Sequence, residues 1–230
     1  MITKLELSGY IFEVVYKDIK TIRITLYPLD GRIKITAPAG TTQESVRKFA
    51  KSKIAWVEKH RQRLQSHTSK TGSLRNHSTV YVWGEAYRLE IIEHYGNSTV
   101  RTDGGSLIMK VRPDSTKAKK QELLDRWYSR ILKKAAPAVI QKWETILKVK
   151  VKKLFVRKMR TRWGSCNYGK QTLRLNSELA KRSPECLEYV IVHEMLHIFE
   201  KGHNRNFYTL LARYIPSWKI IRKKMNAGDL

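Results

Sequence analysis

Between Pro184 and Phe199 the chain is apolar on nearly every side of a helix, through Leu187, Val190, Ile191, Val192, Leu196, Ile198 and Phe199, yet it also carries His193, Glu194 and His197. A helix that is hydrophobic all round belongs in a protein interior. Ser183 followed by Pro184 supplies an N-cap and a proline at the first helical position, so the helix is expected to open there and run to about Phe199. Two imidazoles and a carboxylate buried without partners would be costly, and a metal ion resolves the difficulty. Residues four apart share one helix face, so His193 and His197 can chelate a single ion. The third ligand must come from beyond the helix. His203 is the candidate, six residues after His197 and preceded by Gly202, which lets the chain turn back. Three imidazoles with a fourth position left for water is the donor set of catalytic Zn2+. Glu194, next to the first ligand, suits general-base duty on the zinc-bound water, whose pKa the ion lowers while polarising the bond to be broken.

The charge balance is the second constraint. Lys and Arg number 46 against 20 Asp and Glu, a net charge of +26. The excess is spread along the chain, +8 over 1–70, +7 over 71–150 and +11 over 151–230. Such a field draws polyanions, which makes nucleic acid or a nucleotide a natural partner; solvated helix faces are the plainer reading. The two cysteines, Cys166 and Cys186, are too few for a disulfide framework and point to a reducing compartment. Met1 to Glu6 lacks the pattern of a leader, and no apolar stretch approaches a membrane span, so a cytoplasmic protein without membrane contact is expected.

Along the chain, residues 3–37 alternate like strands, with a turn at Asp30-Gly31, and predict a small antiparallel sheet. Thr41-Thr42-Gln43-Glu44 has the form of a capping box, and Val46, Ala50, Ile54 and Val57 predict a helix to about Leu64. Residues 66–78 read as a linker, and Tyr81 to Arg112 as a second β-rich stretch. From about Ser115 to Leu147 the period becomes helical, on Leu123, Trp127, Ile131, Ala135, Val139, Trp143 and Ile146, with Pro137 expected to kink or break the helix. Strands at Leu154 to Val156 and Thr172 to Leu175 precede the metal helix, and a final helix spans about Asn206 to Met225, interrupted near Pro216. No internal repeat is legible. The expected architecture is α+β, a β-rich N-terminal lobe over 1–114 with one covering helix, packed on a metal-binding lobe over 115–230.

Arg162-Trp163-Gly164-Ser165-Cys166, then Leu173-Arg174-Leu175-Asn176, then Tyr189-Val190-Ile191-Val192-His193-Glu194 resemble the YgjP-like metallopeptidase family, and earlier segments, Asp30 to Ile33 and Ala37-Pro38, fit it too. The resemblance covers most of the chain. It implies a zincin-like catalytic lobe in which His193, His197 and His203 hold zinc and Glu194 is catalytic. The family is related to SprT-like proteases that act on DNA-bound proteins, and some members are described as UTP pyrophosphatases. The spacing of the histidines itself resembles that of the three-histidine zincins. Members usually show Asn-His-Ser where this chain has Gly202-His203-Asn204, and Phe-Trp where it has Phe207-Tyr208.

Other residues are weighed beside these. Arg162 and Trp163 precede what reads as a tight Gly164-Ser165 turn; Arg162 can steady an oxyanion or a phosphate, or pair with Glu178 or Glu188. Arg174 and Asn176 lie on a strand expected to align an extended peptide, with Trp163 as a further substrate contact. Tyr208 and Tyr214 are weaker candidates as transition-state donors, and Cys166 reads as a packed thiol. Trp127 and Trp143 read as packing, and His60, His67, His77 and His94 as solvated. The leading expectation is a zinc metallopeptidase, working on protein or peptide. A zinc-dependent nucleotide pyrophosphatase would use Arg157, Arg160, Arg162 and Arg174 as a phosphate clamp. A DNA-binding module with structural zinc would need a fourth protein ligand.

Overall fold

In the computed structural model, which describes residues 2–27, 32–60, 74–159 and 161–227, the alternation of the N-terminal stretch becomes four strands. They are β1 (Ile2–Leu7), β2 (Tyr10–Lys17), β3 (Arg23–Leu26) and β4 (Ile33–Pro38), in the order β1-β2-β4-β3. The sheet is mixed where an antiparallel one was expected. Strand direction alternates along the chain, so placing β4 between β2 and β3 sets two like-directed strands side by side, and β2 and β4 pair in parallel. Helix α1 (Gln43–Ser52) is capped by Thr42, one residue after the expected start, whose hydroxyl accepts from Ser45 N–H. Helical turns resume over 54–60. Phe12, Val14, Ile33, Ile35, Val46, Ala50 and Val57 close this core. The Asp30-Gly31 turn, residues 61–64 of the expected helix, and 66–73 of the expected linker lie outside the described residues.

The second β-rich stretch repeats that topology. Strands β5 (Thr79–Val82), β6 (Glu85–Glu93), β7 (Thr99–Asp103) and β8 (Ser106–Val111) take the order β5-β6-β8-β7, again with a parallel pair in the middle. The first hairpin of each set turns on two residues at positive φ, Ser8 and Gly9 in one and Trp83 and Gly84 in the other, as a two-residue type I′ turn requires. Each set is followed by a helix capped by a threonine, Thr42 or Thr116. The structure therefore holds an internal repeat that the sequence hides. Topology is kept by alternation and turn chemistry, which tolerate nearly complete change of residue identity.

The helix after the second set, α2, runs from Lys117 to Leu147 without ending at Pro137. Pro137 and Lys133 both lie on the exposed face, so the carbonyl that loses its partner can be hydrated there. Its buried residues are Leu124, Tyr128, Leu132, Ala136, Ile140 and Leu147, a row one residue beyond most of the expected stripe, together with Trp127 and Trp143 of that stripe, while Ile146 is exposed. At its end Lys148 adopts the left-handed conformation. The Glu144 carboxylate accepts from Val151 N–H at 2.7 Å and from Lys150 Nζ at 2.9 Å. Burial pushes this carboxyl up, but the two hydrogen bonds outweigh it and the net direction is down. A lowered folded value means stability that is present above the ordinary carboxylate range and is lost as pH falls through the folded value. Glu144→Gln is accordingly expected to lower unfolding free energy by about 1 kcal/mol at neutral pH, with the gap to the parent closing in acid. Denaturant melts at pH 7 and pH 3 check this; a gap that widens in acid would contradict it.

A third sheet carries the site. Strands β9 (Lys153–Arg157), β10 (Gly164–Asn167) and β11 (Thr172–Asn176) lie in the order β10-β11-β9. Gly164-Ser165, expected as a tight turn, instead opens strand β10, antiparallel to β11. Strand β11, expected to align an extended peptide, is central and has no free edge, being paired on its other side in parallel with β9. Asn176 ends it by capping a 3-10 turn over Ser177–Lys181. Helices α3 (Pro184–Leu196), α4 (Arg205–Tyr214) and α5 (Trp218–Ala227) follow. The sheet β5–β8, helix α2 and these elements share one apolar cluster, from Leu89 and Met109 through Tyr128 and Leu132 to Leu175, Ile191 and Phe207. The chain divides into compact units at Thr71/Gly72, so the expected boundary at 114 falls inside the second unit. The architecture is α+β. Among the described residues no helix is long and apolar enough to cross a membrane.

Candidate metal centre

Helix α3 is buried along almost its whole length, including Val190, Ile191, Val192, Met195 and Leu196. His193 lies in its last turn and His197 is the C-cap, still with right-handed helical angles, so the one-turn offset survives the helix end. The chain turns through Lys201 and Gly202 and returns His203 to the same point. The candidate ligand atoms of His193, His197 and His203 lie within 4.8 Å of one another, and among the described residues they form the only such group of three. His193 Nε2 and His203 Nε2 are 2.9 Å apart.

The surroundings decide which nitrogens are free. The Glu200 carbonyl is 2.9 Å from His197 Nδ1; as the proton acceptor there, it leaves Nε2 with its lone pair toward the cluster. Phe207, fully buried, forms a floor against all three rings, stacked on His197 at 4.8 Å and edge-on to His193 and His203 at 4.9 and 4.8 Å. Burial, with the neighbouring imidazoles and Arg222, pushes His193 down to about 3. His203 is shifted in the same direction by burial, His197 and Arg222. Three imidazoles converging on one point suit a borderline-soft divalent ion; His193 Nδ1, the ring nitrogen other than the Nε2 that faces His203, is buried without a hydrogen-bond partner. These residues fit zinc.

Asn204, at the position where the resemblance implies serine, caps α4 by accepting from Phe207 N–H and donates to Glu200. The departure thus retains a capping side chain that ties the His203 loop to both neighbours.

Glu194 is buried beside this cluster and points toward strand β10. Burial pushes its carboxyl up to about 7, against the opposing pull of the Arg162 guanidinium and a hydrogen bond from Cys166 N–H. The Cys166 thiol is pushed up to about 11 by burial and by Glu194, so it stays protonated at neutral pH. Gly164 makes this approach feasible. A Cβ there would stand 2.7 Å from Glu194 Cγ and 2.9 Å from Val190 Cγ1, both on a buried helix. Gly164→Ala is expected to destabilise the protein by roughly 1–3 kcal/mol through overpacking and to displace Glu194. Thermal melts beside a Ser165→Ala control check it, and equal melting of the two variants would refute the close-packing role.

The cleft over the cluster has a volume of about 570 Å³ and is lined by Arg162, Trp163, Gly164, Ser165, Cys166, Tyr168, Tyr189, Lys201 and Arg222 together with the histidines and Glu194. Arg162 and Trp163 are therefore in the cleft, and the expected ion pairs of Arg162 are taken by others. Glu178 is bound by Lys181, and Glu188 by Lys142 and Trp143 Nε1. Arg174 and Asn176 are not in the lining. Arg174 lies over the Phe155 ring, and Asn176 is buried, donating to the Met159 and Arg162 carbonyls. Tyr208 stacks on Trp218, and Tyr214 packs edge-on to Trp143. Trp127 and Trp143 are packed in the core. His60, His77 and His94 bond to local groups, and His67 and Arg160 lie outside the described residues. The sequence reading named Phe207 only as half of an aromatic pair, without its place beneath the histidines, and missed Lys201 and Arg222. The last two had no signal, being ordinary exposed cations; Phe207 had one, an aromatic four residues after His203 on an amphipathic helix.

Two solved structures resemble part of the chain. The metallopeptidase zymogen abylysin of Pyrococcus abyssi is 16% identical, with a TM-score of 0.37 over 39% of this chain and 90% of its own. The metallopeptidase zymogen jannalysin of Methanocaldococcus jannaschii is 22% identical, also at 0.37, over 41% of this chain and 90% of its own. No curated protein matches. The decisive likeness is in sequence, where the model of the YgjP-like metallopeptidase domain matches residues 20–228 and so takes in every residue of the histidine cluster and its cleft. With that span matched, the chain belongs to the YgjP-like metallopeptidase family.

Proposed function

We propose that this chain is a zinc-dependent peptidase in which His193, His197 and His203 hold the ion and Glu194 is the general base. One observation carries the reading: three imidazoles with ligand atoms within 4.8 Å of one another stand beside a buried carboxylate. Bound there, a divalent ion supplies Lewis acidity, making water more acidic and a carbonyl carbon more electrophilic. The rest belongs to side chains and backbone of this chain. A Glu194 carboxyl poised near 7 can take a proton from the attacking water and return it to the departing amine. Arg162 supplies positive charge for the oxyanion that develops. The peptide-aligning edge is reassigned from Leu173–Asn176 to β10, because β11 has both neighbours filled while β10 is at the sheet edge and lines the cleft. An extended substrate adding to β10 would pass the three histidines.

A second reading is favoured by the cations of the cleft, Arg162, Lys201 and Arg222, which offer phosphate contacts for a nucleoside triphosphate such as UTP. They replace the clamp expected from Arg157 and Arg174, which lie outside the lining. A purely structural zinc would need a fourth ligand, and the group has three among the described residues. The overall excess of +26 supports a polyanionic partner in either case. The deciding experiment compares the zinc-loaded protein on an unfolded polypeptide and on nucleoside triphosphates, with Glu194→Gln as control. Cleavage of polypeptide alone supports the peptidase. Pyrophosphate release alone transfers the site to nucleotides.

A further inference from the structure

The stretch from Lys148 to Asn176 has ten Lys and Arg in 29 residues and no Asp or Glu. Three of these cations, Lys153, Arg157 and Arg174, lie on strands of the sheet β10-β11-β9, and the others come in the segments of sequence before and between those strands. On β9, Lys153, Phe155 and Arg157 are exposed and alternate with half-buried Leu154 and Val156. Across the sheet Phe155 pairs with Arg174, which pairs with Ser165. Arg174 is the one exposed residue of its strand, and its guanidinium lies 5.9 Å from the centre of the Phe155 ring. Phe155 nonetheless keeps 46% of its surface exposed. Glu122 and Asp125, which share a shallow groove with Arg157, are already paired, Glu122 with Arg126 at 3.6 Å and Asp125 with Lys158 at 2.8 Å.

An exposed aromatic on a strand, flanked by cations and with the neighbouring acids already paired, is a stacking platform inside a phosphate-attracting field. We propose that the outward face of this sheet binds single-stranded nucleic acid, with a base stacked on Phe155 and the backbone phosphates met by Lys153, Arg157 and Arg174. Single strands fit better than duplex, because bases paired and stacked in a helix offer no free face to Phe155. An acidic polypeptide would use the cations and leave the aromatic idle. The proposal deepens the reading of a polyanionic partner but does not depend on the metal centre or on any hydrolysis.

The test measures binding of a fluorescent single-stranded oligonucleotide and of a duplex of equal length by anisotropy, using the full chain at two salt concentrations. Phe155→Ala, which changes no charge, is expected to weaken single-strand binding about tenfold, the loss typical of one stacked base, with duplex binding unchanged. Phe155→Trp should restore it. Arg174→Glu should weaken both and flatten the salt dependence. Equal effects of Phe155→Ala on both oligonucleotides, or none on either, would overturn the stacking assignment. So would polyglutamate competing as well as the oligonucleotide, since the partner would then be acidic protein. Thermal melts of each variant separate misfolding from lost contact, and Phe155→Leu, which keeps the apolar bulk without the flat ring, is expected to bind like Phe155→Ala.

Discussion

Glu194→Gln is expected to reduce hydrolysis by at least roughly 10²–10⁴-fold, the usual contribution of a positioned general base, while zinc content stays the same. The amide keeps the shape of the side chain and can still accept from the Cys166 N–H, so strand β10 keeps its seat on helix α3. What it loses is the ability to hold a proton. Metal analysis and turnover measured on the same sample check both halves of the expectation. If the variant retained its rate, Glu194 would be a packing residue and the base would have to be sought elsewhere in the cleft. If it lost its zinc, Glu194 would be a ligand, and the open position that the proposed chemistry needs would be filled.

His203→Ala should have the other large effect. Loss of an outer-sphere partner of a metal ligand typically weakens binding 10–100-fold, so loss of the ligand itself is expected to weaken zinc binding at least about 100-fold. The effect on folding should be small by comparison, because His203 is exposed and the helix after it is capped independently by Asn204. Competition titration with a chelating dye reads the affinity, and a melt of the metal-free protein reads the fold. Unchanged affinity would place the third ligand outside this histidine. His197→Ala is a useful contrast, since His197 also stacks on Phe207 and bonds to the Glu200 carbonyl.

The arginine that the sequence marked and the two cations it did not mark illustrate how the cleft was assembled. Arg162 was legible because it precedes a motif, whereas Lys201 and Arg222 come from a loop and from a helix more than twenty residues further on. Their shared position exists only after α5 has buried Ile221 and Met225 in the core. The repeated sheets were equally hidden. Ser8-Gly9 and Trp83-Gly84 have only the glycine in common, yet both pairs adopt positive φ and start the same strand order.

What the sequence determined by itself was what a helix dictates locally: the site of α3 and its opening at Ser183-Pro184, the shared face of His193 and His197, Glu194 beside them, and the start of α1 to within one residue. Helical neighbours are three or four residues apart, so their geometry is written in spacing. What only the tertiary structure decided was strand pairing. That pairing made β10 the edge and β11 the centre, withdrew Arg174 and Asn176 from the cleft, and required Gly164 where a side chain would strike Glu194. Strand neighbours are chosen by contacts between distant segments, and alternation says which face a residue takes but not which strand lies beside it.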